Sequence, residues 1–236
     1  MAKSESINLT INGKKITADP GMTILDAARS VGIDIPVICL HEATTPEGIC
    51  RQCVVEVDGW SRLAPACITP AAEDLDVETN SERVVRARRT ILEMLGASVD
   101  ISQSPELKRQ MEKYQADSER FPGAKKRDHK VLDDNPFYVR DYSQCVLCWR
   151  CVQACADDLQ YTYALDLGGR GHDSQIITFY DFPLPETTCV FCGNCIAVCP
   201  TKALQDKTEY LVEKGFQHNE IRARRRQERQ EKRRGS

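Results

Sequence analysis

No uninterrupted apolar run in this sequence approaches the ~20 residues that a membrane-crossing helix needs, so no membrane span is expected. The opening stretch, MAKSESINLTING, lacks an apolar h-region and predicts no secretory signal. Histidine is scarce. His41, His129, His172 and His218 are scattered, which fits surface or packing roles better than a ligand set. No G-x-G-x-x-G lies between a strand and a helix, and Gly168-Gly169-Arg170-Gly171 reads as a turn. Walker, nucleophile-elbow and H-E-x-x-H motifs are missing too. These absences leave no signature for flavin, NAD or molybdenum and no candidate catalytic residue.

Cysteine is what the chain has in excess. All twelve fall into three groups of four. Cys39, Cys50, Cys53 and Cys67 form C-x10-C-x2-C-x13-C. Cys145, Cys148, Cys151 and Cys155 form C-x2-C-x2-C-x3-C, and Cys189, Cys192, Cys195 and Cys199 repeat that spacing, ending in Cys199-Pro200. Without an export signal a disulfide framework is not expected, and a reducing cytoplasm would keep the thiols free for iron.

The repeated run is the spacing that binds a pair of [4Fe–4S] clusters. Its first three thiolates serve one cluster and its fourth serves the other. The assignment that follows is Cys145, Cys148, Cys151 and Cys199 for one [4Fe–4S] cluster, and Cys155, Cys189, Cys192 and Cys195 for the second. Ala156 stands where a second proline could follow Cys155, which alters loop stiffness rather than ligation. Structural zinc, with two knuckles well separated in sequence, fits four cysteines in eleven residues poorly. The first group is less specific, because plant-type [2Fe–2S] ferredoxins space their cysteines C-x4-C-x2-C and the first gap here is ten. A zinc site on the single knuckle Cys50/Cys53 is the alternative.

Around the first group, Asn12-Gly13 signals a hairpin between two alternating segments. Thr23 and Asp26 suggest a capping box for a helix through Ala27, Ala28 and Val31, with Gly32 ending it. Asp58-Gly59 marks a second hairpin after CVVEV. This order is that of a β-grasp [2Fe–2S] ferredoxin domain over residues 1–80, and it favours a [2Fe–2S] cluster on Cys39, Cys50, Cys53 and Cys67. Val84, Val85, Ile91, Leu92 and Leu95 predict a helix over 81–96, with Arg83, Arg86, Arg88 and Arg89 on its surface and Gly96 as its stop. Leu107, Met111 and Tyr114 predict helix within 104–120, and 121–136 reads as linker. The expected fold class is α+β, with a helical linker (81–140) joining the β-grasp domain to a two-[4Fe–4S] ferredoxin domain (141–205). A hairpin insertion is expected at about 161–181. Residues 206–236 read as a basic, helical tail.

The run from Gly21 to Thr69 (GMTILDAARSVGIDIPVICLHE, GICRQCVVEVDG, LAPACITP) closely resembles the N-terminal [2Fe–2S] domain of the large iron–sulfur subunit of respiratory complex I. The same domain occurs in iron-only hydrogenases, diaphorase subunits of bidirectional hydrogenases and iron–sulfur-rich formate dehydrogenases. NSERVVRARRTILEMLGA resembles the helix that follows it in those proteins. The resemblance covers residues 7–96 and 140–204. One departure is clear: where those families carry H-x3-C-x2-C-x5-C, this chain reads GASVDISQSPELKRQ, so that histidine-plus-three-cysteine cluster is expected to be absent. Long formate dehydrogenases and hydrogenases continue into a catalytic domain. This chain stops, and catalysis is expected on another polypeptide.

The formal net charge of −3 conceals an asymmetry. Residues 221–236 carry eight Lys/Arg against two Glu, leaving the remainder acidic. An acidic body with a basic tail suggests docking by charge. Nucleic-acid binding is the weaker reading, since no recognition motif is present. Trp149, between Cys148 and Cys151, is positioned to exclude water from a cluster. Taken together, the expectation is a cytoplasmic electron-transfer subunit. It would relay electrons between a flavin-containing, NAD(P)H-handling subunit and a catalytic subunit. By resemblance that subunit is a molybdenum or tungsten formate dehydrogenase first and a hydrogenase next. A free ferredoxin-like carrier is the alternative, and a structural zinc or nucleic-acid-binding protein a remote one.

Overall fold

The structure is a computed structural model and describes residues 6–234. The chain divides into two units. The first takes residues up to 101 together with 105–125. The second takes 102–104 and the residues from 126 onward. The division falls inside the 81–140 stretch that the sequence reads as one linker.

In the first unit, β1 (Ile7–Ile11) and β2 (Lys14–Ala18) form the hairpin that Asn12-Gly13 signals. Both turn residues have positive φ, the backbone such a tight turn demands. The sheet order is β2-β1-β5-β3-β4, with β3 at Val54–Val57, β4 at Ala64–Pro65 and β5 at Asp76–Glu78. Only the β1–β5 pairing is parallel. Helix α1 (Ile24–Ser30) covers this sheet with Ile24, Leu25, Ala27 and Ala28.

The capping box is formed. Thr23 Oγ1 accepts from the Asp26 amide at 3.2 Å, and the Asp26 carboxylate accepts from the Thr23 amide at 3.1 Å. At the other end, the Gly32 amide donates to the Arg29 carbonyl and the Ile33 amide to that of Ala28, the paired bonds of a Schellman ending. Gly32 supplies the required positive φ.

Helix α2 (Glu82–Ser98) and helix α3 (Pro105–Tyr114) pack on the same unit. Two expectations are corrected here. Gly96 does not stop α2, which runs on to Ser98. Its missing side chain serves packing instead, because a Cβ there would lie 3.0 Å from Ser118 Cβ and 3.2 Å from Met111 Cε. Arg88 is not on the surface. It shares the inward face with Val84 and Leu92 and is fully buried.

The second unit is built around short elements: β6 (Tyr138–Arg140), α4 (Arg150–Cys155), the hairpin β7 (Asp166–Gly168) and β8 (Gln175–Ile177), α5 (Asn194–Ala197) and β9 (Leu204–Asp206). Strands β6 and β9 pair antiparallel, as do β7 and β8. Helices α6 (Lys207–Glu213) and α7 (His218–Arg234) follow. Residues 235 and 236 of the basic tail lie outside the described residues. No helix is long and apolar enough to cross a membrane among the described residues.

Candidate metal centres

In the first unit the thiols meet as two pairs. Cys53 Sγ lies 3.3 Å from Cys67 Sγ. Cys39 and Cys50 are hydrogen-bonded to each other, which lowers the Cys50 thiol to about 6 and raises Cys39 well above the ordinary thiol range. The same sharing lowers Cys53 and raises Cys67. Arg51, between Cys50 and Gln52, has φ 57°, and this left-handed turn brings the Gln52 amide to 3.5 Å from Cys50 Sγ.

In the second unit the two cysteine runs repeat in backbone as well as spacing. Leu147 and Trp149 have positive φ, and so do Phe191 and Gly193 at the matching positions. Left-handed backbone at bulky residues persists only where the surroundings over-determine it. Here it turns amides toward sulfur. Leu147 N donates to Cys145 Sγ and Phe191 N to Cys189 Sγ, each at 3.4 Å. The first three cysteines of each run therefore come from one tight loop leading into a short helix, α4 or α5.

The fourth cysteine of each run joins the other loop. A cavity is lined by Cys145, Cys148, Cys151 and Cys199, with Tyr142 and Trp149 in its wall. A second is lined by Cys155, Cys189, Cys192 and Cys195. Arg150 Nη1 donates to the Val198 carbonyl at 3.3 Å, tying the start of α4 to the segment that bears Cys199. Ala164 N donates to Cys155 Sγ at 3.2 Å. Cys151 also feels the charge of Cys195, so the two cavities are neighbours.

Burial shapes the donor chemistry. It pushes Cys145 up to about 11, and Cys148 and Cys195 up to about 12, and it raises Cys151 well above its ordinary value. Thiols held protonated by an apolar wall become thiolates when a cation compensates the charge. Cys145, Cys148 and Cys151 around the first cavity are buried, whereas Cys192 at the second is exposed.

The arrangement fits polynuclear clusters better than single ions. A zinc ion draws four thiolates to about 2.3 Å from one point. The thiols stand instead as two pairs in the first unit and around two cavities in the second, as they would if each pair or thiolate met its own iron.

The histidines join none of these sets. His41 Nδ1 accepts from the Ala43 amide at 3.1 Å, His172 and His218 are exposed, and His129 is half-buried. Two residues near the first set were not singled out from sequence as site residues. Gln52 is entirely buried, and neither its Nε2 nor its Oε1 has a hydrogen-bond partner. Arg88 donates to the carbonyls of Gln52 and Val54, on either side of Cys53.

Residues 4–82 match the family described as "2Fe-2S iron-sulfur cluster binding domain", and residues 144–203 match the "4Fe-4S dicluster domain". Among curated proteins, the NADP-reducing hydrogenase subunit HndD of Solidesulfovibrio fructosivorans is 35% identical over 88% of this chain and 37% of its own length. The NADPH-Fe(3+) oxidoreductase subunit alpha of Geobacter sulfurreducens is 35% identical over 85% of this chain and 24% of its own length. The mitochondrial NADH-ubiquinone oxidoreductase 78 kDa subunit of Candida albicans is 29% identical over 85% and 28%. This chain thus spans about a quarter to a third of the curated relatives it matches. One chain in a crystal structure of an NAD+-reducing [NiFe]-hydrogenase in the H2-reduced state superposes with a TM-score of 0.77 at 30% identity. The match covers 86% of this chain and 88% of that one.

Proposed function

The chain belongs to the family of iron–sulfur subunits found in NAD(P)-linked hydrogenases and complex I-like oxidoreductases, and from that premise we propose that it is the electron relay of a multi-subunit oxidoreductase. The observation that carries this reading is the pair of thiol-lined cavities with exchanged fourth cysteines. It supports two adjacent [4Fe–4S] sites, one on Cys145, Cys148, Cys151 and Cys199 and the other on Cys155, Cys189, Cys192 and Cys195. The pairs Cys39/Cys50 and Cys53/Cys67 support one [2Fe–2S] site with two thiolates for each iron. When bound, such clusters take up and release single electrons, at about −400 mV for the plant-type [2Fe–2S] form.

The chain's own residues do the rest. The cysteines hold thiolates in fixed positions, backbone amides of Leu147, Ala164 and Phe191 donate to sulfur, and Tyr142 and Trp149 keep water from the first cavity. Hydrogen bonds to sulfur and solvent exposure are the levers that set cluster potential.

The proposed donors and acceptors are an NAD(P)H-handling flavin subunit and a separate catalytic subunit, in the cytoplasm. Sequence resemblance ranks a formate dehydrogenase first. The hydrogenase relatives, above all the structure matched over 88% of its chain, support a hydrogenase partner instead, and we favour that reading. A subunit is favoured over a free carrier by the segment 156–188, which exposes Phe179, Tyr180 and Phe182 in edge-to-face and tilted contact. That segment carries six Asp/Glu against one Arg. Exposed aromatic anchors within an acidic surround suit a partner subunit with an apolar pocket rimmed by basic residues. The test is affinity isolation of the native protein with its partners. A flavoprotein and a nickel–iron subunit are expected. A molybdenum or tungsten subunit would move the reading back to formate, and a lone monomer would leave the free carrier. Changing Phe179 and Tyr180 to serine should weaken co-purification and leave iron content unchanged.

A further inference from the structure

Arg88 is an arginine with no exposed surface, on the inward face of α2. Its Nε donates to the Gln52 carbonyl at 3.1 Å and its Nη2 to the Val54 carbonyl at 2.8 Å. Its Nη1 donates to Tyr114 Oη at 3.0 Å and Asn80 Oδ1 at 3.4 Å. The Tyr114 ring lies 5.8 Å from the guanidinium carbon. Every one of these acceptors is uncharged, and Arg88 forms no ion pair among the described residues.

A guanidinium stays protonated in a protein, and a buried charge without a counter-charge is expensive. Structural clamping alone does not require that charge, since a neutral donor can hold a carbonyl. The position of this one is specific. Gln52 and Val54 flank Cys53, so Arg88 grips the backbone on both sides of a thiol that belongs to the first set. Behind the same loop, the buried Gln52 amide has no partner for either polar atom.

We propose that Arg88 is a positioning residue that raises the reduction potential of the [2Fe–2S] site, resting on the reading of Cys39, Cys50, Cys53 and Cys67 as that site. Reduction adds one negative charge at the thiolate end of this loop. A fixed cation in a low-dielectric interior stabilises the reduced state more than the oxidised one. The thiolates supply excess negative charge in both states, which accounts for a buried arginine that pairs with no carboxylate.

The test is an EPR-monitored redox titration of the anaerobically purified protein and its R88Q and R88K variants, with iron and labile sulfide measured on each. R88Q is expected to keep the [2Fe–2S] signal and to show at least a tenfold smaller reduced-to-oxidised ratio at a fixed potential. For a one-electron couple that is a shift of about 59 mV to more negative potential. R88K, which keeps the charge, should stay closer to the unaltered protein. If R88Q does not fold, N80D decides. Asn80 is exposed, and a carboxylate there would partly neutralise Arg88 without removing its clamp, shifting the potential in the same direction by less. An unchanged potential in R88Q, equal shifts in R88Q and R88K, or no shift in N80D when R88Q cannot be measured would overturn the proposal. Loss of the signal from the unaltered protein, by contrast, would overturn the [2Fe–2S] reading itself.

Discussion

Replacing Cys199 by alanine tests the exchange of ligands between the two cysteine runs. Cys199 belongs by sequence to the run Cys189–Cys199, yet it lines the cavity of Cys145, Cys148 and Cys151. The tie from Arg150 to the Val198 carbonyl holds it there. If each cavity houses one four-iron cluster, C199A should lose about four of roughly ten irons, the same four that C148A loses. The double variant C148A/C199A should then lose no more iron than C148A alone, because both residues serve one site, whereas C192A/C199A should lose about eight. Iron and acid-labile sulfide on anaerobically purified variants read this directly. EPR adds a second reading, since magnetic coupling between neighbouring reduced clusters should vanish in C199A while the [2Fe–2S] signal persists. The reasoning fails if C199A pairs with C192A instead, so that C192A/C199A loses only four irons and C148A/C199A loses eight.

Two further substitutions probe the scaffold. In Gly96→Ala, overpacking against Ser118 and Met111 at about 1–3 kcal/mol should outweigh the ~1 kcal/mol helix-propensity gain, leaving the first unit destabilised by up to about 2 kcal/mol in denaturant unfolding. Thr23→Ala should cost about 1 kcal/mol by removing the cap of α1, read in the same assay.

The features legible in the sequence were those with a local chemical cause. Asn12-Gly13 turns a hairpin wherever it lies between alternating segments. Thr23 and Asp26 cap a helix within a single turn, and the spacing of Cys145–Cys155 and Cys189–Cys199 follows the tight loop that leads into α4 or α5. The features that escaped depend on partners distant in the chain. Gly96 looks like a helix stop because glycine often is one, but its reason is the approach of residues 111 and 118. Arg88 sits among other arginines on a helix, and periodicity alone places charge outward. Only the carbonyls of Gln52 and Val54 and the hydroxyl of Tyr114, brought in by tertiary folding, make an inward guanidinium stable. The orphan amide of Gln52 likewise has no local signature, because burial is a property of the packed unit.

The central claim, that all twelve cysteines serve electron conduction, is tested most directly by the metal and labile sulfide content of the protein purified without oxygen. The expected result is about ten irons with matching sulfide and no stoichiometric zinc, together with EPR signals of both cluster types on reduction. Bound zinc without labile sulfide would contradict it.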